Sequence, residues 1–272
     1  MNLTCATYNI LHGYHREMVL NNIAFLMDSG ADVICLQEVE KRFEPHLRKF
    51  LAQQKYVGWQ CRCAHVGFGG NVALLWKSGK LRLKRAHVIA LPKLRTPSRL
   101  QRLRKMTDRI DRAALVGIFE AKDITFQIAS AHVAWEGGNA HRMRQLRFLR
   151  ERLEKEPADV RIVAGDFNTL APRALGRVHE KRVQFTLGAH YVNAHPKLKW
   201  SYDISHADPN DGLGFLPRLH KAGVKFRTRL DYIFATNVKV EKSAMHDLPG
   251  SDHRPLTATL VPLQLPPVRV VH

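Results

Sequence analysis

Long apolar runs are missing from this sequence, and none approaches the length needed to cross a bilayer. Cysteine is scarce: Cys5, Cys35, Cys61 and Cys63 are the only four. Cys5 and Cys35 fall inside apolar, strand-like stretches, and Cys61-Arg62-Cys63 lacks the two-residue gap of a redox or zinc pair. All four are expected to be reduced packing residues, which excludes a disulfide scaffold. Met1 to Thr4 run straight into a strand pattern with no basic and apolar leader, and neither end carries a lipidation motif. The expected location is therefore cytoplasmic. Internal repeats and dividing linkers are also lacking, so one catalytic domain is expected over residues 1–263, with a loose Pro266-Pro267 tail at 264–272.

The remaining shortage is of acid. Lys and Arg number 43 against 24 Asp and Glu, a net charge of +19, in a chain that is 45% hydrophobic and long enough to bury a substantial core. The excess is concentrated. Between Lys77 and Arg112 there are thirteen basic residues against Asp108 and Asp111. Such a density favours a polyanionic partner through counterion release. Thr96-Pro97 resembles a helix start, and Leu100, Leu103 and Ile110 form one apolar line among Arg99, Arg102, Arg104 and Lys105. A short basic amphipathic helix is expected there.

What the sequence does have is a recurring pattern of apolar strands that stop at a polar residue. Val160 to Ala164 ends at Gly165-Asp166-Phe167-Asn168; Thr4 to Tyr8 ends at Asn9; Val33 to Gln37 ends at Glu38; Phe126 to Ala131 ends at His132. Asp231 opens a strand, and Ser251-Asp252-His253 precedes the last one. Helices are expected over 17–29, with Val19, Ile23, Leu26 and Met27 on one face, over 44–53, and from Gly137 onward, with Met143, Leu146, Leu149 and Leu153 in a stripe. Residues 170–228 read as loop-rich, with weak helical signal near Arg173 to Glu180. Strands expected over 56–63, 71–76, 84–90, 112–120 and 124–132 include neighbours with no crossover helix between them, so much of the pairing must be antiparallel. Two mixed β-sheets packed face to face with helices outside, an α/β fold, satisfy both patterns.

Strand ends that all deliver carboxylate, carboxamide or imidazole point to one polar site. Glu38 and Asp252, with Asn9 beside them, make a hard oxygen-ligand set suited to Mg²⁺ or Mn²⁺. Asp166 can orient or deprotonate a water, Asn168 can donate to a phosphoryl oxygen, and His132 and His253 can donate to charge building on phosphate. Asp231 can fix a histidine tautomer. The set describes metal-assisted phosphoester hydrolysis.

Six segments also resemble the endonuclease/exonuclease/phosphatase superfamily of deoxyribonuclease I-like phosphoesterases. They are Thr7-Tyr8-Asn9-Ile10, Leu36-Gln37-Glu38-Val39, Ser130-Ala131-His132-Val133, Gly165 to Thr169, Arg229 to Phe234 and Ser251 to Leu256, in family order. The resemblance implies a four-layered α/β sandwich with Glu38 as main metal ligand and Asn9 and Asp252 nearby. It implies that His253, paired with Asp231, and His132 contact the scissile phosphate, while Asp166 and Asn168 position the nucleophile; base and acid are left open. Histidine at 132, where apurinic endonucleases carry tyrosine, argues against an abasic-site enzyme. Arg142-x-x-Gln145 recurs in family members, and Arg142 and Asn71 are taken as further substrate contacts beside Arg99, Arg102, Arg104 and Lys105.

The function expected is an Mg²⁺-dependent intracellular nuclease acting on DNA, endo- or exonucleolytic. The alternatives are a sphingomyelinase-like phospholipid phosphodiesterase at an anionic membrane surface, for which the basic helix lacks Trp and Phe, or a small-molecule phosphoesterase. A non-catalytic binding module is disfavoured because every expected group is present. No obligate protein partner is expected.

Overall fold

The computed structural model describes residues 1–67, 70–94, 111–169, 176–206 and 226–263. The segment carrying Arg99, Arg102, Arg104 and Lys105, the helix expected around it, and the 264–272 tail lie outside the described residues.

Two six-stranded sheets form the centre. The first contains β1 (Leu3–Asn9), β2 (Val33–Gln37), β3 (Trp59–Val66), β4 (Gly70–Lys77), β13 (Val238–Met245) and β14 (Leu256–Pro262), in the order β13-β14-β1-β2-β4-β3. The second contains β5 (Arg82–Ala90), β6 (Ala113–Ala121), β7 (Ile124–His132), β8 (Val160–Asp166), β9 (Val192–Asn193) and β12 (Asp231–Ala235), in the order β5-β6-β7-β8-β12-β9. A separate ribbon pairs β10 (Tyr202–Asp203) with β11 (Arg227–Thr228). The helices are α1 (Arg16–Asp28), α2 (Glu44–Leu51), α3 (Gly138–Leu153) and α4 (Gly176–Leu187).

The apolar strands segregate their side chains by alternation. On β1 and β2, Cys5, Val33 and Cys35 face the second sheet, meeting a core that includes Phe126, Ile128 and Ile162. Ala6, Tyr8, Ile34 and Leu36 face outward onto Val19, Ile23 and Leu26 of α1 and Leu47 of α2. On the second sheet Ala129, Ala131 and Val163 face outward onto Met143, Leu146, Leu149 and Leu153 of α3 and Val183 and Leu187 of α4. Strands covered on both faces need apolar residues at every position, which is why they read as unbroken runs. The result is four layers: helices, sheet, sheet, helices.

Each six-stranded sheet has one parallel pair at its centre, β1 with β2 and β7 with β8; every other pairing within it is antiparallel. A parallel pair needs a crossover, and α1 and α3 supply them. This topology brings the polar residues to one edge. Asn9, Glu38, His132 and Asp166 leave the C-terminal ends of the parallel strands. The neighbours β12 and β14 run the opposite way, so their starts lie at the same edge: Asp231 is opposite Asp166 and Leu256 is opposite Thr7.

Boundaries differ from the sequence reading in a few places. The helix expected over 44–53 stops at Leu51, and Tyr56, expected to open a strand, sits in a 3-10 turn, Gln54–Tyr56. The helix anticipated near Arg173 to Glu180 runs from Gly176 to Leu187, and the loop-rich stretch also holds β9, β10 and β11. Strands of two residues are too short to carry an alternation.

Gly165 is a point of close backbone approach beside the polar edge. Its φ is +150°, and a Cβ there would stand 1.9 Å from the backbone oxygen of Ala131 on the paired strand. Backbone oxygen in a sheet cannot rotate away, so β7 and β8 would have to separate next to Asp166. Gly165→Ala is expected to cost about 3 kcal/mol or more in urea unfolding, at the upper end of overpacking penalties, and to lower activity with it. Wild-type stability and turnover in this variant would show that the strand pair has slack.

Candidate active site

Local backbone strain marks the edge where these residues meet. Glu38 and Asn168 both follow a central strand and both adopt positive φ, +61° and +49°. For residues with a Cβ that conformation is unfavourable and persists only where surrounding contacts enforce it. Around Asn168 those contacts are visible. Its backbone N–H donates to Asp166 Oδ1 (2.8 Å), and its amide Nδ2 donates to Val133 O (2.9 Å) and to Asp166 Oδ2 (3.2 Å). Both amide hydrogens thus face inward, and Asn168 holds Asp166; donation to a phosphoryl oxygen would need one of these contacts exchanged.

Asp166 is the hub. Asn9 Nδ2 donates to Asp166 Oδ2 and to Glu38 Oε1, each at 3.1 Å, and so links carboxylates from the two sheets. Asn9 Oδ1 accepts the N–H of Leu11 (3.0 Å). The Nε2 atoms of His132 and His253 both lie 3.7 Å from Asp166 Oδ2, too long for direct hydrogen bonds but within ion-pair range. His132 Nε2 is also 3.8 Å from Glu38 Oε1. On the far side, His253 Nδ1 contacts Asp231 Oδ2 at 2.8 Å, and His253 Nε2 is 4.0 Å from Asp252 Oδ1. Asn9, Glu38, His132, Asp166, Asn168, Asp231, Asp252 and His253 therefore share one site.

The two imidazoles are driven in opposite directions. Burial pushes His132 well below its ordinary value, and the adjacent Arg112 guanidinium and the His253 charge push the same way. For His253 burial acts downward too, but the Asp231 and Asp166 carboxylates override it and hold the ring well above the ordinary value. Burial raises Asp166 to about 7; the Asp231 and Glu38 charges add to the rise, while His253 opposes it. The site thus offers a neutral and a cationic histidine side by side.

Two carboxylate oxygens of the site are left short of partners. Glu38 Oε2 and Asp231 Oδ1 are buried without a hydrogen bond, although His12 Nε2 stands 3.3 Å from Glu38 Oε2. Three crowded acids, two of them with an oxygen lacking a hydrogen bond, match the donor chemistry of a hard divalent cation. Asp166, Asp231 and His253 have ligand atoms within 4.8 Å of one another. Yet His253 is held cationic between two carboxylates, and a protonated ring is a donor, not a ligand. Glu38, whose side chain is 16% exposed against 2% for Asp166, is the more reachable acid.

Residues that sequence reading did not select complete the site. Ser201 Oγ donates to Asp231 Oδ2 (2.7 Å) and accepts the N–H groups of Leu230 (3.1 Å) and Asp231 (3.0 Å), which aims the carboxylate at His253. Arg112 is buried, with Nη1 3.1 and 2.9 Å from the two ring nitrogens of His132 and Nη2 3.3 Å from Glu136. It looked like one more member of a basic segment. His12 bridges Glu38 and Glu40, touching Glu40 Oε1 at 3.0 Å.

The expected substrate contacts fare differently. Asn71 Nδ2 donates to Glu40 Oε1 (3.1 Å), one residue removed from the cluster. Arg142 spends its two Nη groups on Asn139 Oδ1 (3.0 Å) and Trp135 O (2.6 Å), and Gln145 accepts the Ala134 N–H (2.8 Å). The Arg-x-x-Gln pair thus braces the loop that follows His132.

The sequence matches the Endonuclease/Exonuclease/phosphatase family over residues 6–253, which spans all of these groups. The chain belongs to that family. Its members are metal-dependent phosphoric ester hydrolases, and the chain is an enzyme of this class. No curated protein matches the sequence. Similar solved structures include an endonuclease/exonuclease/phosphatase from Bacteroides vulgatus (16% identity, 96% of this chain and 99% of that one, TM-score 0.70). TDP2 from D. rerio complexed with single-strand DNA product has 16% identity over 96% and 99% of the two chains, TM-score 0.69. A mannosyl-6-phosphatase from Bacteroides thetaiotaomicron has 16% identity over 95% and 99%, TM-score 0.64. At this identity the likeness is one of fold. No helix among the described residues is long and apolar enough to cross a membrane.

Proposed function

We propose that the protein is an Mg²⁺- or Mn²⁺-dependent phosphodiesterase that hydrolyses nucleic acid, with DNA as its substrate. The observation that carries the reaction is the convergence of Glu38, Asp166 and Asp231 with one cationic and one neutral imidazole at a single sheet edge. The observation that favours nucleic acid is the +19 charge. Glu38 would hold the cation, with Asp252 and Asn9 completing its surroundings; when bound, the ion polarises a phosphoryl oxygen and offsets transition-state charge. Asp166 Oδ2, held by Asn9 and Asn168, takes the proton of the attacking water. His253, fixed by Asp231 and Ser201, presents Nε2–H to the phosphate oxygen on which charge builds and supplies a proton to the leaving oxygen as the P–O bond breaks. His132, backed by Arg112, contacts the same phosphate as a neutral donor.

The test is a panel of labelled duplex DNA, single-stranded DNA, RNA, a sugar phosphomonoester and anionic lipid vesicles, each with Mg²⁺ and Mn²⁺. A DNA strand is expected to have the highest kcat/KM by at least about tenfold. A larger value for the phosphomonoester or the lipid would overturn the nuclease reading while leaving phosphoester hydrolysis intact. The basic segment is tested separately. Replacing Arg99, Arg102, Arg104 and Lys105 with Gln should flatten the salt dependence of DNA binding by about one slope unit per lost phosphate contact, with small chromogenic diesters turned over as before. An unchanged slope would reduce that charge to a solvated face.

A further inference from the structure

The chain takes a strained path just after Asn9. Leu11 and His12 are successive residues with a Cβ, and both adopt positive φ, +47° and +55°. Such conformations persist only where surrounding contacts enforce them, and they cluster at functional sites. Here the turn is closed by Asn9 Oδ1, which accepts the Leu11 N–H (3.0 Å). Gly13, at φ +67°, lies against the Phe43 ring, where a Cβ would stand 2.5 Å from Cδ2. The loop after β1 is thereby pressed onto the loop after β2, and the side chain delivered between Glu38 and Glu40 is His12.

The two ring nitrogens of His12 have different surroundings. Nδ1 is 3.0 Å from Glu40 Oε1, and Asn71 Nδ2 donates to that same oxygen at 3.1 Å. A carboxylate accepts, so the proton of the neutral ring sits on Nδ1 and the lone pair on Nε2. Nε2 in turn lies 3.3 Å from Glu38 Oε2, yet Oε2 is buried and accepts no hydrogen bond. The other oxygen, Oε1, takes the amide of Asn9 (3.1 Å). Ring and carboxylate therefore stand side by side, not donor to acceptor. Two lone-pair atoms this close repel unless a positive charge is shared between them. Their separation is near the about 3 Å expected between adjacent ligands of an octahedral ion with bonds of about 2.1 Å. An imidazole whose far nitrogen is held by a carboxylate is also the usual arrangement of a histidine that binds metal. Both side chains keep some exposure, 25% for His12 and 16% for Glu38, so an ion can enter from solvent.

We propose that His12 Nε2 and Glu38 Oε2 together hold the catalytic cation, with Glu40 and Asn71 fixing the ring. The proposal rests on the reading above that Glu38 is the cation's ligand. It has a consequence for metal choice, because an imidazole among the ligands shifts preference from Mg²⁺ toward first-row transition ions, Mn²⁺ among them.

The test loads the purified protein with Mn²⁺ and records electron spin echo modulation from nitrogen bound to the ion. Wild type should show the coupling of a directly bound imidazole nitrogen, converted to the ¹⁵N pattern when the protein is made with ¹⁵N-labelled histidine. His12→Gln should lose that coupling, whereas His132→Gln and His253→Gln should keep it. In calorimetric titrations His12→Gln should weaken Mn²⁺ binding by about tenfold or more and Mg²⁺ binding distinctly less. Equal losses for the two ions would reduce His12 to a prop for Glu38 and overturn the proposal. Should His12→Gln fail to fold, labelled wild type and the other two variants still decide. Coupling absent from wild type, or lost with His132 or His253, would overturn it. Glu38→Gln separates the proposal from the reading beneath it. If that variant binds Mn²⁺ more weakly while wild type shows no imidazole coupling, only the role of His12 falls. If it binds Mn²⁺ as tightly as wild type, or wild type binds none, the reading of Glu38 fails and the proposal with it.

Discussion

His253→Ala is expected to lower kcat by about two orders of magnitude or more, the scale of losing a charge-stabilising donor that also supplies a proton. The expectation follows from where its proton is held. Nδ1 is committed to Asp231 at 2.8 Å, and Nε2 lies 3.7 Å from Asp166 Oδ2, beyond hydrogen-bond range, so its N–H is not spent on that carboxylate and can be given to a substrate oxygen. Burial would strip the ring of charge; the two carboxylates restore it. The structure buries both histidines, His132 to 1% and His253 to 5% exposure. Removing His253 leaves Asp231 short of its cationic partner, so some stability should be lost as well, and kcat must be read well below the melting transition. Ser201→Ala supplies the graded control. It removes the hydroxyl that aims Asp231 without touching the imidazole, and should lower kcat less than His253→Ala while KM stays put. Near-normal kcat in folded His253→Ala would remove it from the chemistry.

How far the site could be read from sequence depends on the kind of contact involved. Asn9, Glu38, His132 and Asp166 were visible because each ends a strand buried on both faces. There an apolar run is compulsory, and a polar residue that stops it stands out. Their common location follows from the topology, two central parallel pairs with antiparallel neighbours. Ser201 was hidden for the opposite reason. It lies between Trp200 and Tyr202 in a stretch whose strands are two residues long, and it reaches Asp231 across 30 positions of chain. Arg112 was hidden by its company, since a buried guanidinium among thirteen basic residues has no local signature. The roles of Arg142 and Asn168 turn on where amide and guanidinium hydrogens point. Arg142 braces the loop after His132 and Asn168 holds Asp166, and neither direction is encoded in spacing.

Glu38→Gln is the other change expected to act steeply, and stability provides a readout that activity alone does not. Glu38 lies near Asp166 through the Asn9 bridge, and its Oε2 has no hydrogen bond. Without a cation, neighbouring carboxylates repel; part of what raises Asp166 to about 7 is the Glu38 charge. Metal-free Glu38→Gln should therefore unfold no more easily than metal-free wild type. Added Mg²⁺ separates them. A ligand that binds only the folded state stabilises it by about 2.7 kcal/mol at a hundredfold excess over Kd, so the wild-type midpoint should climb by several degrees. The variant, deprived of its most accessible anionic oxygen, should climb much less and recover part of its activity only at high metal. Chelation with EDTA should abolish wild-type turnover and bring the two melting curves together. Equal Mg²⁺-induced shifts in both proteins would move the cation away from Glu38 and toward Asp166 and Asp231. Full turnover in EDTA would dispense with the cation altogether. A stability gap between the two proteins that opens only when the metal is added is what distinguishes a ligand from a carboxylate that merely supports the fold.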